Sequence, residues 1–176
     1  MASLEYTASD DPCIGFNNDD LMDGSMKLAE ALKTRADLNQ RLYHLQTRLI
    51  NNSKVQEGEK PGEDPMELME ELDSVTEQLE ELIRRINITN STTVTDDGMT
   101  ITALIARRDV LTRKGEILRS FVDEASRTVN RHGASEIRVI STVNVRDMMR
   151  KVDDISKEIR VTDTRIQELN WTTELI

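Results

Sequence analysis

Apolar residues recur three and four positions apart in four separate stretches of this chain, and that spacing leaves few folds open. The first stretch holds Leu28, Ala31, Arg35, Leu38, Leu42, Leu45 and Leu49, widened by Leu32, with Ser25 as its N-cap. It predicts a helix over about 26–50. The second opens on Asp64-Pro65-Met66-Glu67, where Asp64 caps, Pro65 suits the first turn and Glu67 takes the capping-box position. Leu68, Leu72, Val75, Leu79, Leu82 and Ile86 follow, predicting a helix over 65–88. The third runs Ile101, Leu104, Arg108, Leu111, Gly115, Leu118, Val122, Ala125, Val129, between Thr100 and Gly133, over 101–131. The fourth, Val145, Met148, Val152, Ile155, Ile159, Thr162, Ile166, Leu169, follows an Asn144 cap and covers 145–170.

Narrow stripes on four long helices predict a mainly α fold. The expected architecture is an antiparallel four-helix bundle with coiled-coil-like packing, one domain over 26–176. Arg35 and Arg108 interrupt the stripes, so their stems are expected on the core and their heads in solvent or on an acid. Gly115 costs helix stability and predicts close approach of a neighbour. Helix 2 and its approach, 63–85, hold nine acids and two arginines; 103–131 hold seven bases and four acids. That contrast predicts that helices 2 and 3 pack together.

The connections, about 51–64, 88–100 and 132–144, are longer than bundle loops usually are. Short β segments are expected in them. Ile137–Val143 is β-rich and is expected to pair with Ser53-Lys54-Val55-Gln56 or with another subunit. Thr92–Val94 and Met99–Ile101 flank Asp97-Gly98, a hairpin turn signal.

The net charge of −10 is unevenly spread. Residues 1–25 carry six acids and no lysine or arginine, while the remainder holds 23 bases against 27 acids. The acidic stretch has no basic segment and no apolar run of signal-peptide length, and reads as a disordered extension. Cytoplasmic residence is therefore expected. No apolar run approaches membrane length, so a membrane partner is not expected. An acidic chain without a basic patch also argues against nucleic acid.

Chemistry-bearing residues are scarce. Cys13 is the only cysteine, and His44 and His132 are the only histidines. No Glu-x-x-His pair, phosphate loop or nucleophile–base set can be assembled, so no metal, cofactor or enzyme activity is expected. Asp96-Asp97-Gly98 lacks the later oxygen ligands of a calcium loop. If a ligand site exists, it belongs at one bundle end around Asn87, Asn90, Asp97 and Arg108. Trp171 closes the fourth helix, as a core cap or a partner contact.

An ordered series of segments resembles the septicolysin-like family of small bacterial proteins. It begins with Met26-Lys27-Leu28-Ala29-Glu30-Ala31-Leu32 and Arg35-Ala36-Asp37-Leu38, then Lys54-Val55-Gln56-Glu57-Gly58-Glu59 and Asp64-Pro65. It continues in Ile86-Asn87-Ile88-Thr89-Asn90, Asp97-Gly98 and Ala106-Arg107-Arg108-Asp109-Val110-Leu111. Ser135-Glu136-Ile137 and Asp163-Thr164-Arg165-Ile166-Gln167-Glu168-Leu169-Asn170-Trp171 complete it. The resemblance implies a helical protein with no assigned activity and no catalytic residues. The family name implies a cytolysin. It also implies a start at Met26, with 1–25 as an extension that N-terminal sequencing of native protein would test.

The expected function is non-enzymatic: self-association into a homo-oligomer, or contact with a protein partner. A membrane-active cytolysin is one alternative. A small-ligand protein or enzyme, with its site at a bundle end, is the other.

Overall fold

The computed structural model of the chain describes residues 26–127 and 140–176. Four helices follow one another: α1 (Leu28–Asn51), α2 (Pro65–Thr92), α3 (Ile101–Ser126) and α4 (Val145–Thr172). Among the described residues there is no strand, only two isolated antiparallel bridges. The protein is thus mainly helical. The leader 1–25, with Ser25 and Cys13, lies outside the described residues, as do His132, Gly133 and Ile137–Val139.

Local signals set the helix ends. The Asp64 carboxylate accepts from the Met66 backbone N–H at 2.8 Å, with Pro65 in the first turn. The Thr100 hydroxyl accepts from the Ala103 N–H at 3.1 Å, and the Asn144 side chain accepts from Arg146 and Asp147. Each satisfies a donor that the first helical turn leaves without an intrahelical partner. At α1 the cap position is Lys27, whose N–H donates to the Glu30 carboxylate at 2.8 Å. Two boundaries differ from expectation by four residues or more. Helix α2 continues to Thr92, because Thr89, Ser91 and Thr92 turn their hydroxyls back to helix carbonyls. Helix α3 ends at Ser126, five residues early, where Arg127 leaves helical geometry.

The helices pack as two hairpins. Arg41 and Arg48 on α1 reach Glu71 on α2 and Glu63 just before it, so the two helices run in opposite senses. Across α3 and α4 the order reverses likewise: Arg108 reaches Asp163, while Arg119, farther along α3, reaches Ser156, earlier in α4. Between the hairpins, α2 and α3 share little packing. The expected α2–α3 pairing by charge is therefore not how the chain folds. Exposed ion pairs contribute only tenths of a kcal/mol each, too little to choose a helix partner against apolar stripes.

The hairpins are tied where α1 begins and α4 ends. The Leu175 N–H donates to the Met26 carbonyl at 2.8 Å, and the Leu28 N–H to the Thr173 carbonyl at 3.0 Å. The Ile176 N–H donates to the Thr89 hydroxyl at 3.0 Å. Leu175 is buried there with Leu28, Ala31, Ile86 and Ile101 in one core cluster, which extends along the α1–α2 seam through Leu45, Leu68, Val75 and Leu82. The buried Thr34, Thr89 and Thr162 hydroxyls donate to the carbonyls four residues back, so no polar side chain is buried unpaired among the described residues.

The connections depart from the β expectation. Residues 53–56 form no strand, and neither do 140–143. The 93–100 connection does form a tight turn: Val94 bridges Thr100, the Gly98 N–H donates to the Thr95 carbonyl at 2.8 Å, and Gly98 has φ +78°. Only glycine takes that conformation without strain.

Candidate interaction surface

The residues singled out from sequence do not converge on one pocket. Asp97, in the 93–100 turn, accepts two bonds from the Arg165 guanidinium of α4, at 2.7 and 2.9 Å, and one from the Thr95 hydroxyl. The Arg165 and Thr95 bonds hold its carboxyl well below the usual range, at about 2. Arg108 is half-buried and shared between Asp109, at 2.9 Å, and Asp163, at 3.6 Å. Asp97 and Arg108 are thus both anchored on 163–165 of α4, where each already has its partners. Their arrangement pins the turn and the α3–α4 seam. Asn87 is exposed near the end of α2 and Asn90 half-buried; neither joins this network.

Other expected positions move outward. Arg35 is exposed, and Thr34 takes the buried place on α1. Trp171 is 67 % exposed and does not cap the core. The chain turns away at Thr173, and Leu175 fills the end of the core instead. Among the described residues, no three His, Cys, Asp or Glu side chains are placed to hold a metal ion. No helix there is long and apolar enough to cross a membrane.

One surface stands out that a single stripe per helix does not reveal. Val110, Ile117 and Phe121 on α3 are 68, 58 and 43 % exposed. Spaced by seven and four, they fall within about 40° of one another around the helix. They lie roughly 120° from the side that carries Leu104, Gly115 and Val122 against α4. Helix α3 therefore bears two apolar stripes, and α4 covers one. The signal was present in the spacing, hidden by the more regular stripe beside it. Arg113 and Lys114, both exposed, flank the open stripe.

The paired stripe is close-fitted. A Cβ at Gly115 would stand 3.5 Å from Ile155 and 3.7 Å from Ile159, ordinary contact distances. The glycine brings α4 near without being strictly demanded by it.

Comparison with known proteins assigns no activity. No curated protein matches the chain. The crystal structure of a functionally unknown conserved protein from Corynebacterium diphtheriae is similar: 39 % identical, covering 86 % of this chain and 99 % of that one, with a TM-score of 0.75. The model of a family of unknown function, DUF6847, matches residues 35–175. The chain belongs to that family.

Proposed function

We propose that this protein acts without catalysis, as a cytoplasmic helical module that associates with itself. The observation that carries this reading is the open stripe Val110, Ile117, Phe121 on a helix whose other apolar side is already packed. Covering a Val, Ile or Phe side chain contributes about 1.5–3 kcal/mol before the cost of association. A run of such side chains on one ridge is the usual mark of a docking surface.

The anchoring of Asp97 and Arg108 supports a structural role for both, with no cofactor. Light scattering on the full chain at tens of micromolar tests the proposal. A mass above that of one chain is expected, and a strict monomer rejects it. The septicolysin-like resemblance supplies the rival, in which the same stripe opens onto lipid. Dye release from anionic and cholesterol-containing vesicles would favour the rival over self-association.

A further inference from the structure

We propose that the open stripe of α3 receives the same stripe of a second copy, the two α3 helices lying side by side in opposite senses about a two-fold axis. This rests on the self-association reading and names its surface. A two-fold contact must use one patch twice. Val110, Ile117 and Phe121 form such a patch, along a ridge that a second helix can follow.

The charge along α3 selects the sense. Its first half carries Arg107, Arg108, Arg113 and Lys114 against Asp109, a net of +3. From Gly115 to Ser126 it carries Glu116, Asp123 and Glu124 against Arg119, a net of −2. Arg107 and Arg108 already face Glu158 and Asp163 of α4, so on the open side the polarity is carried by Arg113 and Lys114 in the first half and by Glu124 in the second. Parallel α3 helices would set base against base and acid against acid. Opposite senses set the basic half of each copy over the acidic half of the other, twice in one contact. The flanking charges are exposed: among the described residues Arg113 pairs with Glu116 and Glu124 with Arg127, one turn away in each case. They are free to turn to a partner at small cost.

Sedimentation velocity on full-length chains tests this, with circular dichroism to follow folding. The unaltered chain is expected to dimerise, and Ile117→Glu to be monomeric with its helix content intact, since Ile117 is 58 % exposed. Arg113→Glu with Lys114→Glu makes both halves of α3 acidic, and is expected to weaken the dimer about tenfold or more. Adding Asp123→Lys and Glu124→Lys to that variant restores opposite signs and is expected to restore the dimer. A dimer that ignores Ile117→Glu overturns the α3 surface while leaving self-association standing. Failure of the fourfold variant to recover overturns the opposed α3 pairing, as for a contact with the acidic α2 of the other copy. A monomeric unaltered chain overturns both this inference and the self-association reading.

Discussion

The two hairpins are built from the same kind of sequence and end up unequally buried. Along α1–α2, Leu28, Leu45, Val75, Leu82 and Ile86 are excluded from water almost completely, and the carboxy-terminal Leu175 closes the end of their cluster. Beyond Leu104, the α3–α4 arm buries Val122, Ile155 and Ile166 less fully, and leaves Leu111, Leu118, Val152 and Ile159 half-buried. The difference is one of layers. The first hairpin gains a third wall where Leu175 folds over it, whereas among the described residues the second has the narrow seam that two helices make. A two-helix seam covers one stripe per helix, so any second stripe stays in water. Helix α3 carries one.

Core truncations break or sharpen this contrast most strongly. Leu82→Ala is expected to cost about 3–5 kcal/mol in denaturant unfolding, the upper range for a closed site. Ile155→Ala, in a seam that can collapse, is expected nearer 2 kcal/mol. Equal losses would mean that the two hairpins are equally enclosed, and would remove the physical basis of the comparison. At Gly115 the thin arm should gain. The space beside Ile155 and Ile159 accepts a Cβ, so Gly115→Ala is expected to stabilise by up to about 1 kcal/mol. A lower melting temperature for this variant would show the α3–α4 seam to be tighter than the distances indicate.

Ion pairs on the two hairpins should matter less. Burial pushes the Glu71 carboxyl up, but the hydrogen bond and charge of Arg41 and the charge of Arg48 outweigh it and leave it lowered. Glu71→Gln is expected to cost about 0.5–1 kcal/mol, shrinking at high salt. A loss that salt does not change would point to packing instead of charge. The smallest expected effect is at Asp97. Its folded pKa is depressed, so its stabilising contribution is whole above about pH 4 and is lost as the pH falls through about 2. Carboxyl chemical shifts should place its midpoint near 2 in the native chain and nearer the free value in Arg165→Gln. A native midpoint near 4 would mean that the turn is not latched to α4 in solution.

How much of this could be read from residues alone varies by level. The starts of α2, α3 and α4 were legible because a cap is a local event: Asp64, Thr100 and Asn144 each bond an N–H two or three residues away. The Asp97-Gly98 turn was legible for the same reason. The end of α2 was not, since three hydroxyl side chains that suggest a loop can also bond back along a helix. The core-cap reading of Trp171 fails because nothing in its neighbourhood reveals that Leu175, four residues on, reaches the core first. The open stripe of α3 is visible in the spacing, but its exposure depends on which side α4 takes.

By itself the sequence determined where three of the four helices start and which residues share a face. Capping and 3.6-residue periodicity act over a few residues, so local chemistry suffices for them. Which helix meets which was decided only in the tertiary structure. The charge contrast favoured α2 with α3, yet each of these exposed pairs is weak, and the apolar seams of α1–α2 and α3–α4 prevailed. That choice closes the first hairpin with Leu175 and, among the described residues, leaves Val110, Ile117 and Phe121 of α3 exposed.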